Sequence, residues 1–208
     1  MRVGLDIDGV ILDFERVMRT YAEMYDLLIL NKCDVINDNE FDYLKRYVWS
    51  EKEKKAFIDD YLVYATLHST PLMPLIKVFL RFLKLEGIEY EIISERGLLN
   101  AKMKDAVIEV LMRYGIPTRD IHFEVSNKVS ECKKLGITLM IEDNPNIVSE
   151  LIDNGIDTVY FKDKNSIGLN NSELIHEVSN VGEIVRYIVS INGLNRRASD
   201  YEKILRPL

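Results

Sequence analysis

Arg2-Val3-Gly4-Leu5-Asp6-Ile7-Asp8-Gly9-Val10 decides how the chain is read. A short apolar strand runs into two carboxylates two residues apart and then into a glycine. Side chains alternate faces along a strand, so Asp6 and Asp8 set out on the same side. In the central strand of an α/β sheet both would stand at its carboxyl end, where such folds open their ligand crevice. Two adjacent carboxylates repel each other and are costly to bury unpaired. A hard divalent cation such as Mg2+, which prefers oxygen ligands, would resolve the conflict. One carboxylate could then attack phosphorus while its neighbour moves the proton. The plain alternative is a strand end with a polar turn, so corroboration must come from downstream.

The 208 residues suffice for one generous domain, or for a domain with a smaller insertion. Apolar residues make up 47% and charged residues 29%, the balance of a globular chain. A net charge of −7 argues against a nucleic-acid partner. No apolar run reaches the roughly 20 residues that span a bilayer. The first strand begins at once, leaving no room for a signal peptide, and Cys33 and Cys132 form neither a disulfide framework nor a zinc pattern. A cytoplasmic protein is expected.

Beyond Asp8, apolar residues recur at helical spacing from Ile11 to Tyr25 (Phe14, Val17, Met18, Tyr21, Met24). The composition then changes as far as His68. A breaker at Asn37-Asp38-Asn39 precedes a segment dense in aromatics, in which Ser50 and Glu53 make a capping box for a helix starting at Glu51. Strands and helices alternate afterwards. Helices are expected over Leu75–Leu85, Asn100–Tyr114, Lys128–Leu135, Asn146–Asn154 and Val181–Ile191. Strands are expected over Ile88–Ile93, Ile121–Phe123, Ile137–Ile141 and Thr158–Phe161. This alternation predicts an α/β fold with a Rossmann-like parallel sheet, carrying a small helical cap inserted after the first strand. The domains read as 1–14 with 71–193 for the core, 15–70 for the cap, and 194–208 for a C-terminal tail that could dock.

Several strand exits carry chemistry. Besides Asp6 and Asp8, one strand ends in Ser94, whose hydroxyl could hold a phosphate oxygen. Another ends in Glu142-Asp143, an acidic pair that could complete a Mg2+ site. Lys128 begins a helix between these two, where an ammonium could neutralise nucleophile and phosphate together. Taken singly, Ser94 reads as a turn residue and Lys128 as a surface charge. Their shared placement after apolar strands makes them a set.

This set resembles the haloacid dehalogenase-like (HAD) phosphohydrolase superfamily over about residues 1–162. Its first motif looks like Asp6-Ile7-Asp8-Gly9-Val10, its second like Ile92-Ile93-Ser94, its third like Lys128, and its fourth like Ile141-Glu142-Asp143. The resemblance implies Asp6 as nucleophile and metal ligand, and Asp8 as general acid/base that also ligates the metal through its backbone carbonyl. It implies Ser94 and Lys128 as phosphoryl-binding residues, Asp143 as the remaining Mg2+ ligand, and a C1-type cap. Lys133 and Lys134 share the segment of Lys128 and compete for its role. The run Asp6 to Glu15, with its Asp13-Phe14-Glu15, is similar to the opening of the 5′(3′)-deoxyribonucleotidase branch, as is the exit Ile141-Glu142-Asp143-Asn144-Pro145. That likeness implies a nucleotide substrate whose base stacks on Phe14, with Tyr43, Tyr47 or Trp49 on its other face. On a helix of this pattern Phe14 is equally a core residue.

The expected activity is therefore Mg2+-dependent hydrolysis of a small phosphorylated metabolite through an aspartyl-phosphate, most simply by a 5′-nucleotidase-like phosphatase. A sugar or polyol phosphate phosphatase would use the same residues. A non-catalytic module that binds a phosphorylated ligand has no use for Asp8. A signalling receiver domain, which also places acids, a hydroxyl and a lysine at strand ends, has its phosphorylated Asp where this chain has Ser94. A homodimer is compatible with the sequence; no membrane and no nucleic acid are expected as partners.

Overall fold

The computed structural model describes residues 1–33, 35–37, 40–98, 100–119, 121–162, 169 and 172–206. Asp38 and Asn39 of the sequence breaker, and the last two residues of the tail, lie outside this set.

Six parallel strands form one sheet: β1 (Arg2–Leu5), β2 (Glu89–Ile93), β3 (Ile121–His122), β4 (Leu139–Glu142), β5 (Asp157–Phe161) and β6 (Ile175–Val178). Their order is β3-β2-β1-β4-β5-β6, so the first strand is central. Leu5 lies opposite Ile92 on one side and Ile141 on the other, which brings the exits of β1, β2 and β4 side by side. Val3, Leu5, Ile92, Leu139 and Ile141 are almost wholly buried, as strands covered on both faces require. The sheet is covered by α4 (Ile76–Glu86), α5 (Lys102–Arg113), α6 (Lys128–Leu135), α7 (Pro145–Asp153) and α8 (Val181–Asn192), with right-handed crossovers expected for such units.

The inserted segment is helical, as its composition suggests. It contains α1 (Phe14–Met24), which runs on into a π-helical turn at Tyr25–Ile29, then α2 (Glu51–Phe57) and α3 (Val63–Ser69). The capping box is present: Ser50 Oγ accepts from the Glu53 amide, and the Glu53 carboxylate accepts from the Ser50 amide at 2.7 Å. Tyr25, Tyr47, Trp49, Phe57 and Tyr61 pack ring on ring, with Tyr47 stacked on Trp49 at 4.8 Å. These rings are continuous with the core around Leu5 and Phe79, so the insertion shares one core with the sheet.

Two elements differ from the sequence reading. β6 was not anticipated, because Ile175-His176-Glu177-Val178 is an edge strand that buries only Val178 well and lacks an apolar run. The tail forms α9 (Ala198–Leu205), anchored on α4 by a 2.5 Å hydrogen bond from Tyr201 to Glu86 and one from Arg196 Nε to the Leu85 carbonyl. Its helical pattern spans two turns only, too short for periodicity to reveal.

Phe57 is fully buried where the insertion meets the common core. Phe57→Ala should lower the unfolding free energy by about 3–5 kcal/mol while leaving one cooperative transition in urea. A separate early transition for the insertion would show that it has a core of its own.

Candidate active site

Asp6 lies one residue beyond β1, its amide donating to the Ile141 carbonyl at 3.0 Å, which carries the strand pairing past Leu5. Asp6 is buried, its side chain 8% exposed. Lys128, the first residue of α6, reaches it across 2.6 Å and touches Glu142 at the same distance. The helix start is held by Asn127, whose side chain accepts from the Ser130 amide. Of the three candidate lysines, the structure brings Lys128 to the acids. Lys133 bonds Asn154, and Lys134 pairs with Glu131 at the surface.

Asp143 follows β4 and joins the cluster around Asp6. Asp6, Glu142 and Asp143 each offer an oxygen such that all three lie within 4.8 Å of one another. Gly9 permits this approach. Its φ is +71°, and a Cβ there would meet Asp143 Oδ2 at 1.8 Å. Burial first, and then Glu142 and Asp8, push Asp6 up to about 8 against the opposing Lys128 ammonium. Asp143 is raised likewise, by burial and then by Glu142 and Asp6. Burial works against the Lys128 charge, yet Asp6 and Glu142 hold its pKa above the ordinary lysine range. Fully ionised, three buried carboxylates against one ammonium would carry an excess of two negative charges; burial suppresses that ionisation, and a divalent cation would restore it by neutralising the excess. Both Glu142 oxygens already accept donors, Oε2 from Lys128 and Oε1 from the Asp143 and Asn144 amides. Asp6 and Asp143 are therefore better placed to hold a metal, with Glu142 fixing the lysine.

Asp8 sits in the turn beyond Asp6, and here the structure corrects the electrostatic argument from sequence. The two carboxylates do not depend on one shared cation. Asp8 has its own partner, Arg96, whose Nε and Nη2 each lie 2.5 Å from a different Asp8 oxygen. Arg96 is buried, with its guanidinium carbon 3.8 Å from the centre of the Phe14 ring and Nη1 3.5 Å from Thr66 Oγ1 on α3. Sequence reading passed over Arg96, although its position two residues after Ser94 was the available signal. Ser94 is buried at the exit of β2, and its hydroxyl accepts from the Arg96 amide at 3.1 Å.

A cavity of about 510 Å3 opens beside Asp8, between the insertion and the loops after β2 and β4. Phe14 and Tyr43 line it. Tyr47 and Trp49 do not: they are buried in the insertion, bonded to Glu23 and Asp26. Glu15 lines this cavity and a smaller one that reaches Asp143. Its Oε2 is buried without a hydrogen-bond partner among the described residues.

No family model matches the chain. Solved structures resemble it over nearly their whole length. An HAD family hydrolase from Deinococcus radiodurans R1, crystallised with phosphate and sodium, superposes with a TM-score of 0.62 at 13% identity, covering 94% of this chain and 98% of that one. A conserved haloacid dehalogenase-like protein from Agrobacterium tumefaciens gives 0.64 at 11% identity, covering 91% and 98%. A predicted phosphoglycolate phosphatase from Haemophilus somnus gives 0.59 at 14%, covering 89% and 96%. The chain has the HAD-like hydrolase fold. In sequence it is 28% identical over 173 residues to a Chlorobaculum tepidum protein named "Putative 5'(3')-deoxyribonucleotidase", covering 76% of this chain and 77% of that one.

Two outcomes check this electrostatic reading. Millimolar Mg2+ should stabilise the metal-free protein by about 2–3 kcal/mol once it exceeds its dissociation constant a hundredfold. Asp143→Asn should remove that shift in a melting curve. Glu15, raised to about 8 by burial and then by Asp8, binds a proton when folded that the unfolded chain has already released above about 4.5. Stability should accordingly fall as pH rises from about 4.5 through 8, and Glu15→Gln should remove part of the fall. Parallel urea titrations at pH 5 and 9 of both proteins would read it.

Proposed function

We propose that the chain is a Mg2+-dependent phosphomonoesterase acting through an aspartyl-phosphate, of the nucleotidase type. The observation that carries the reading is Asp6 bonded to Lys128 and clustered with Asp143, while Asp8 has a cation of its own. The HAD-like fold and the Chlorobaculum tepidum relative support a phosphatase. Bound at Asp6, Asp143 and the Asp8 backbone carbonyl, Mg2+ would supply charge neutralisation for the transferring phosphoryl group.

In this mechanism a free Asp6 oxygen attacks phosphorus, and the bond from phosphorus to the leaving oxygen breaks. Asp8 gives a proton to that oxygen. It then takes one from the water that attacks the phosphoenzyme, releasing phosphate and restoring Asp6. Lys128 and the Ser94 hydroxyl bind the phosphoryl oxygens, while Glu142 keeps Lys128 in place. Arg96 fixes the Asp8 side chain, one of whose oxygens must leave the guanidinium to carry the proton. Residues 15–70 act as the cap over a core of 1–14 and 71–193, limiting water at the phosphoryl group.

A nucleoside monophosphate would place its base in the cavity between Phe14 and Tyr43. A second reading, a sugar or polyol phosphate, is favoured by one observation: a face of the Phe14 ring is already covered by Arg96. Among the described residues no helix is long and apolar enough to cross a membrane. We place the enzyme in the cytoplasm, with a small phosphorylated metabolite as its partner.

Asp6→Asn should abolish hydrolysis of every phosphomonoester, and turnover at the wild-type rate would rule out the nucleophile. Asp8→Asn should cost about 10²–10⁴-fold on alkyl phosphates and clearly less on activated aryl phosphates, whose leaving groups depart without a proton. Steady-state kcat on the two substrate types separates these cases.

A further inference from the structure

The walls of the large cavity carry five carboxylates, Asp8, Glu15, Glu40, Asp42 and Glu95, and two cations, Lys45 and Arg96. The buried cation is committed, whereas the exposed one is only loosely held. Arg96 is taken by both oxygens of Asp8, and Lys45 lies 3.4 Å from Asp42. Of the remaining wall acids, Glu15 holds a proton near neutral pH, which leaves Glu40 and Glu95 as the acids without a cation across the wall. Glu15 adds an independent sign of the same field. Its Oε2 is buried at the shared wall of the two cavities without a donor, and its acidity is weakened by burial and by Asp8. A buried carboxyl oxygen without a donor costs free energy that a ligand's N–H or O–H can recover. Phe14, Tyr43 and Leu44 add apolar wall, and Asn100, Asn144 and Asn146 add neutral polar groups. An anion entering this space meets repulsion from the acids and finds the buried Arg96 engaged by Asp8.

Resting on the phosphomonoesterase reading, we infer that the cavity selects phosphate esters whose leaving group is uncharged or cationic and bears a hydrogen-bond donor, with Glu15 as a specificity-determining residue, and that it rejects leaving groups carrying a carboxylate or a second phosphate. The phosphoryl dianion itself is handled elsewhere, at Lys128 and the acidic cluster. The selection therefore acts on the far end of the substrate.

The test uses three matched, non-hydrolysable ligands: para-hydroxymethyl-, para-aminomethyl- and para-carboxy-benzylphosphonate. Binding to the whole protein with Mg2+ is measured by calorimetry at low and high salt. The hydroxymethyl and aminomethyl compounds should bind at least about tenfold more tightly than the carboxylate, with the gap narrowing as salt rises. In the Glu15→Gln/Glu95→Gln protein the carboxylate should regain part of the difference. Equal binding of all three, tighter binding of the carboxylate, or no binding of any overturns the inference. Hydrolysis of phenyl phosphate is followed separately. Its absence alongside the expected binding order would remove the phosphatase reading and leave the selectivity of the cavity standing.

Discussion

A lysine ammonium buried among carboxylates is the constraint around which this fold is arranged. Lys128 begins one helix, Asp6 follows the central strand and Glu142 ends its neighbour, yet all three meet at 2.6 Å. Buried ions are tolerated when they are paired and hydrogen-bonded, and removing one partner typically costs several kcal/mol. The contact therefore ties the helix after β3 to the exits of β1 and β4. Because the acids outnumber the base, the same contact leaves a negative site at the mouth of the sheet.

The second ion pair has a different character. Asp8 and Arg96 face the cavity, and Arg96 is bounded by Phe14 and Thr66 from the insertion and by Met103 from α5. One guanidinium thus joins the strand carrying the acids, the loop after β2 and the inserted helices. Chemistry at Asp8 and packing of the insertion are not independent. A bidentate fork also restricts the carboxylate to one orientation.

Aromatic density in the insertion divides by role. Tyr47 and Trp49 spend their rings on each other and their polar atoms on Glu23 and Asp26, which builds a rigid unit. Tyr43, in a short turn whose start is capped by Asp42, reaches the cavity, as does Phe41. A stretch of alternating aromatics cannot announce which ring is turned which way, since the turn type decides it.

The sequence by itself determined the strand–helix alternation, the capping box at Ser50, and the placement of Asp6, Asp8, Ser94, Lys128 and Asp143 after apolar strands. These depend on period, turn residues and local hydrogen bonds, all of which lie within a few residues. Only the tertiary structure decided that Lys128, and not Lys133 or Lys134, meets Asp6, because helix phase relative to the sheet is set by packing. The same holds for Arg96, which is 88 residues from Asp8 in sequence. It holds also for β6 and α9, which form because β5 offers an open edge and α4 an exposed face. Pairing across such distances depends on which surfaces folding brings together, and no local pattern encodes it.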